Sequence, residues 1–315
     1  MAVSLGLDYM PGQWRICRTE RGQPEEYVLF ESADEVLAGL RQFCMQYPEP
    51  TVVVSLDAIT PFASLASLSD ERLERLALLY HPTRTCQEAT AALRLVRGLS
   101  LHSSCAPSVE YLPTVSPHRL LLRPALGSAR EVCAVVALLH HMREQGATWE
   151  EMNFFCVNAN EQGTSVLVIV NGQIVNGIKT LQGSTLSAAS ERLASLEGAR
   201  EVAAEERHAA LQPLLLEAFW EGLTQELAGL LAIHHLEDIV VFGKQSEQLI
   251  ERLADTYQIY LFPQVDPKGS GYEAALGAAL LGEGLEQAGS SANVIEHLRI
   301  RQAERVALVP GSRPA

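Results

Sequence analysis

The chain has 315 residues, 47% of them apolar and 20% charged, a balance that supports a packed core and excludes a disordered chain. Lys and Arg number 24 against 38 Asp and Glu, so the formal net charge is −14, which argues against nonspecific binding to nucleic acid or to an anionic membrane surface. No apolar run approaches the roughly 20 residues needed to span a bilayer, and the opening MAVSLGLDYMPG has no basic stretch before an apolar segment. The expectation is a cytoplasmic protein.

Three short strands come first, Val3 to Leu7, Trp14 to Thr19 and Tyr27 to Phe30, separated by Pro11-Gly12 and by Arg21-Gly22-Gln23-Pro24. This pattern predicts an antiparallel meander. Ser32-Ala33-Asp34-Glu35 reads as a capping box opening a helix with Val36, Leu37, Leu40 and Phe43 on one face. The β-branched run Thr51 to Leu56 predicts a strand buried on both faces. Ser69-Asp70-Glu71-Arg72 opens a second helix that carries Leu73, Leu76, Leu79 and Tyr80 and ends at His81-Pro82. Residues 99–124 read as loop, interrupted by four prolines, and Ala129 to Gln145 as an amphipathic helix stopped by Gly146.

The pattern then restarts. Strands are predicted over Asn153 to Val157, Thr164 to Val170 and Gln173 to Ile178, the last two joined by Asn171-Gly172, a strong hairpin signal. Residues 185–233 read as helical, followed by a strand over Ile239 to Phe242 and a helix over Ser246 to Asp255. A strand over Gln258 to Phe262 and a small-residue helix from Gly271 to Gly284 complete the pattern. Residues 291–315 read as a loosely held tail. The repetition predicts an N-terminal domain over 1–150, a C-terminal domain over 151–290 with a helical insert at 185–233, and a cleft between them. Cys17, Cys44, Cys86, Cys105, Cys133 and Cys156 are too widely spaced for a zinc or redox pair and are expected as buried thiols.

Three turns have the character of phosphate or nucleotide contacts. Gly6 to Gly12 places Asp8 on the first strand beside a glycine turn, where a carboxylate can hold a metal or water; the alternative is an Asp that stabilises its own turn. Asn158 to Ser165 offers Gly163, Thr164 and Ser165 as N–H and O–H donors, or is an ordinary hairpin. Val240 to Ser246 ends a strand at Gly243-Lys244 and leads into a helix whose N-terminus favours an anion; the alternative is a plain strand–helix turn. Asp57, at the end of the buried strand, is a candidate general base or a cap. The pairs His140-His141 and His234-His235 lack a ligand spacing and read as structural.

The order of these turns resembles the superfamily of acetate and sugar kinases, heat-shock chaperone ATPases and actin. The chain is also similar to a family described as predicted butyrate kinases. Five stretches carry that resemblance: Leu5 to Asp8, Tyr111 to Arg119, Leu126 to Ala129, Val170 to Gly177 and Gly269 to Gly277. It implies an α/β protein of two ribonuclease-H-like domains, the actin-like ATPase fold, with an interdomain cleft holding ATP and Mg²⁺. By that resemblance Asp8 would hold the metal, Asp57 would serve as base, and Gly12, Gly163, Thr164, Ser165, Gly243 and Lys244 would bind the nucleotide. The sequence departs from the family pattern in one direction. Ala125 and Arg130 stand where the family has Asp, Glu131 where it has Lys, and Asn158, Asn160 and Asn176 where acids are usual, while Phe242 replaces a glycine. Each lost acid removes a metal ligand or proton acceptor. Two readings follow: an ATP-dependent phosphotransferase acting on a small carboxylic acid or sugar-like substrate, or a degenerate nucleotide-binding or structural protein of the same fold. A homodimer through the leucine-rich helical region is a further expectation.

Overall fold

The computed structural model describes residues 3–10, 12–47, 49–78, 84–99, 101–123, 125–160, 163–180, 204–263, 269–287 and 289–304. The predicted helix end at 79–83, Glu161 and Gln162, positions 185–203 of the insert, residues 305–315 and the Cys86 side chain lie outside them.

The first strands are β1 (Ser4–Met10), β2 (Gln13–Glu20) and β3 (Gln23–Phe30), an antiparallel meander as expected. α1 (Ala33–Gln46) follows, with the Ser32 hydroxyl accepting from the Glu35 N–H at 3.2 Å. The reciprocal arm differs from a capping box: Glu35 accepts from the Glu31 N–H at 3.0 Å rather than from Ser32. β4 (Thr51–Leu56) is buried throughout and runs parallel to β1. After the two-residue β5 (Ala63–Ser64) come α2 (Asp70–Leu78) and α3 (Arg84–Gly98). The loop expected at 99–124 contains β6 (His102–Cys105), parallel to β4, and the single turn α4 (Arg119–Leu122). β6 escapes the sequence because His-Ser-Ser-Cys has neither β-branched residues nor alternation. α5 (Ala129–Glu144) closes this half.

The second half repeats the plan. β7 (Phe154–Asn160), β8 (Gly163–Val170) and β9 (Gln173–Thr180) form a second meander, its turn at Asn171 and Gly172 holding φ of 49° and 70°. α6 (Ala204–His234) leads to β10 (Asp238–Phe242), parallel to β7, then α7 (Ser246–Leu253), β11 (Gln258–Leu261) and α8 (Glu273–Glu286). One sheet has the order β3-β2-β1-β4-β6-β5 and the other β9-β8-β7-β10-β11; each is a meander extended by two parallel strands, and the first adds the short β5, antiparallel to β6, at its edge.

The two central helices cross over. α8, from the second half, packs on β1, β2 and β4. α5, from the first, shares a core with Phe154, Cys156, Leu167 and Ile169 of the second sheet. The two helices meet at Gly277, where a Cβ would run into the Cys133 carbonyl, so only glycine permits this approach.

Two further sequence expectations are corrected. Residues 291–304 are not a loose tail: α9 (Ser290–His297) and a 3₁₀ turn at Ile300–Gln302 bury Val294, Ile295, Leu298, Ile300 and Ala303 in the central core. Their apolar residues are too sparse for a periodic signal and register only against α5 and α8. The thiol expectation holds for Cys17, Cys105, Cys133 and Cys156, all buried, and burial pushes the Cys105 thiol up to about 12; Cys44 is half-buried. Among the described residues, no helix is long and apolar enough to cross a membrane.

Candidate functional site

Alternation along β1 sends Leu5, Leu7 and Tyr9 into the core beneath the first sheet and turns Asp8 to the opposite face, toward α5 and α8. Asp8 is fully buried. Its two carboxylate oxygens meet one guanidinium: Arg130 Nε donates to Oδ1 at 2.7 Å and Nη2 to Oδ2 at 3.1 Å. Ser55, the register partner on β4, donates to Oδ1 at 3.4 Å. Arg130 reaches Asp8 because it is the second residue of α5, whose start is fixed by a capping box between Ser128 and Glu131. Burial opposes the charge on Arg130, but Asp8, Asp57 and Glu131 outweigh it and raise the pKa.

Glu131 starts a second cluster on the adjoining side of the helix. Its Oε2 caps the Ser128 N–H at 2.7 Å, and its Oε1 accepts from Asn158 Nδ2 at 3.0 Å and from Lys179 Nζ at 3.2 Å. Lys179 also donates to Asp57. Burial would depress the Lys179 ammonium, yet Asp57 and Glu131 hold its pKa above the ordinary lysine value. Three carboxylates (Asp8, Asp57, Glu131) thus face two cations (Arg130, Lys179), every one of them tied by a direct contact.

Beside Arg130 opens a cavity of about 600 Å³, walled from the first half by Met10, Arg15 and Arg130 and from the second by Asn158, the Val241–Lys244 turn and Glu273. Arg15 Nη1 donates to the Gly271 carbonyl at 2.5 Å, which anchors its head at the rim. Burial raises the Glu273 carboxyl, opposed by the Gly271 N–H. Gly243 takes φ of 100°, and a side chain there would strike the Ala159 carbonyl, so the turn after β10 folds tightly against the end of β7. Ser246 and Gln245 complete that turn through bonds to the Gly243 and Ala159 carbonyls.

The expected site residues are distributed as follows. Gly243 and Lys244 line the cavity. Asp8 lies behind Arg130. Gly12, with φ of 74°, forms the β1–β2 turn. Asp57 sits against Lys179, and the neighbouring Ala58 carbonyl accepts from the Ala129 N–H at the start of α5. Gly163 pairs with Asn160 at the end of the β7–β8 hairpin. Thr164 and Ser165 are adjacent on β8, so their side chains point to opposite faces. Only Ser165 shares the face of Asn158 and Lys179. Among the described residues, the buried hydroxyls of both have no hydrogen-bond partner.

A magnesium ion does not fit the acids present. Both oxygens of Asp8 are committed to Arg130, Asp57 is neutralised by Lys179, and no group of three or more metal-binding side chains occurs among the described residues. Lys179 and Glu131 were missed as a sequence motif. The available signal was a lysine on the inward-facing alternation of β9, the face it shares with Gly177 and, across the sheet, Leu167.

Comparison with solved structures gives the class of the fold. A Listeria monocytogenes protein proposed to be an N-acetylmannosamine kinase superposes with a TM-score of 0.50 at 12% identity, over 90% of this chain and 99% of its own. Acetate kinase from Entamoeba histolytica gives a TM-score of 0.51 at 8% identity, over 81% and 87%. At such identities the likeness defines the fold alone, and that fold is the one these kinases share. The family follows from the sequence: the model for "Protein of unknown function (DUF1464)" matches residues 45–309, and the chain belongs to that family. No curated protein matches it.

Proposed function

We propose that this chain binds a nucleotide, ATP or ADP, in the cavity between the β10–α7 turn and the start of α5, and holds it rather than transferring its phosphate. The observation that carries this reading is the wall of that cavity. Arg15, Arg130 and Lys244 converge on it from both halves of the chain, beside the positive-φ turn at Gly243 that opens α7. Cations and a helix start suit an anion, while Phe242 and Phe262, with ring centroids 5.7 Å apart, offer apolar surface to a base. The ion pairs on Asp8 and Asp57 favour holding over transfer, because phosphoryl transfer relies on charge neutralisation by metal and on a free proton acceptor. Isothermal titration with ATP tests the reading. Saturable binding that weakens about tenfold in Lys244→Ala is expected for loss of one charged phosphate contact; absence of binding at millimolar ATP overturns it.

A second reading keeps the chemistry. The kinase fold favours it, as does Asp57, whose side chain retains 18% exposure at the end of β4. In this reading the chain is an ATP-dependent phosphotransferase for a small carboxylic acid or sugar-like alcohol, in line with the butyrate-kinase resemblance. Phosphorylated product from an acid and sugar panel, lost in Asp57→Asn, decides for it.

A further inference from the structure

We infer that the Arg130 guanidinium takes the place of the divalent cation at this site, so that the nucleotide is bound free of metal. This rests on the nucleotide reading above and adds the ionic form of the ligand. A carboxylate on the first strand of such a site has two ways to meet a polyphosphate, through a bridging cation or through a bridging donor. Here the donor is built in. Arg130 spends Nε and Nη2 on Asp8, at 2.7 and 3.1 Å, in the side-on fork that matches a carboxylate. Nη1 donates to no described residue, and Arg130 forms part of the cavity wall. A guanidinium held on one edge by Asp8 thus presents its remaining N–H groups to an oxyanion, at a fixed angle.

The surroundings leave no opening for a metal instead. An ion at Asp8 would have to displace a cation whose side chain is only 11% exposed from a carboxylate that is fully buried. Its next ligands would have to come from Asp57 and Glu131, both held by Lys179. Removing cations from such a cluster leaves uncompensated buried charge, which is strongly unfavourable. Because the Asp8–Arg130 pair is neutral overall, attraction for the ligand comes from Arg15 and Lys244 at the same cavity, and Arg130 supplies direction.

Three titrations test the inference on the full-length protein. Wild type is titrated with ATP in EDTA and again in excess Mg²⁺. Equal or tighter binding in EDTA is expected, and a loss of more than about tenfold in EDTA overturns the inference while leaving the nucleotide reading intact. Direct Mn²⁺ binding, read by electron paramagnetic resonance without nucleotide, is expected to be absent in wild type. Mn²⁺ bound by wild type and lost in Asp8→Asn overturns the inference whether or not ATP binds. Absence of ATP binding in both buffers overturns the nucleotide reading and this inference with it. The third titration uses Arg130→Asp, in which the new carboxylate beside Asp8 is expected to create Mn²⁺ binding and make ATP binding Mg²⁺-dependent. As that variant places two acids together, Arg130→Lys accompanies it. A point charge without the fork is expected to weaken ATP binding about tenfold yet leave it indifferent to EDTA; Mg²⁺-dependence in Arg130→Lys counts against the role given to Arg130.

Discussion

Asp8 has no access to solvent, so its charge is tolerable only while Arg130 stays in place. Replacing Arg130 with Met should cost about 3–5 kcal/mol in urea unfolding, since it strands a buried carboxylate. The double variant Asp8→Asn with Arg130→Met should recover most of that, because neither charge is then left alone. A loss in the double variant equal to the sum of the singles would show that the pair is not coupled. His140 sets a pH response of its own. It is buried, with Nε2 3.2 Å from the Ser290 hydroxyl. Burial, together with His141 and against Glu144, holds its pKa below the ordinary value of 6.5. A depressed folded pKa means stability that is complete above about pH 6.5 and falls as the pH drops through the folded value, because the unfolded chain takes up the proton first. Urea midpoints between pH 7.5 and 5 should therefore fall less steeply in His140→Gln than in wild type.

Among the elements, α8 is the most demanding. Gly277 lies against the Cys133 backbone, whereas Gly222 on α6 has open space around its Cβ position. Gly277→Ala should destabilise by about 3 kcal/mol, as backbone must move, while Gly222→Ala should add up to about 1 kcal/mol through helix propensity. Equal midpoints for the two would refute the close α5–α8 approach. The same elements show where the sequence was legible. Alternation and turn residues gave the two meanders, because β1–β3 and β7–β9 are local and their turns carry glycine. The small-residue helix was visible as composition. Lys179 and Arg130 were not legible as ion-pair partners, since Asp57 and Asp8 each lie 122 residues from their cation, Glu131 lies 48 from Lys179, and a pair reads as two unrelated charges until the fold joins them. Arg130 drew notice in the sequence only through the resemblance, as an expected acid replaced by a cation, and its partner could not be read there. α9 was hidden because its burial depends on surfaces that only α5 and α8 provide.

At the scale of the whole molecule, the two sheets share the order of five strands, a meander and two parallel additions, and contribute to one central core. Ligand binding there should be visible globally: a nucleotide at one hundred times its dissociation constant adds about 2.7 kcal/mol and raises Tm accordingly. The crossing of α5 and α8 has a further effect. Each half carries a central helix, α5 or α8, whose apolar face is covered by the other half. Cut near residue 150 and expressed singly, either fragment would be left with an uncovered greasy surface and should precipitate. Produced in the same cell, the two pieces should find each other and restore a soluble, heat-cooperative complex, which makes this chain a natural candidate for a split reporter.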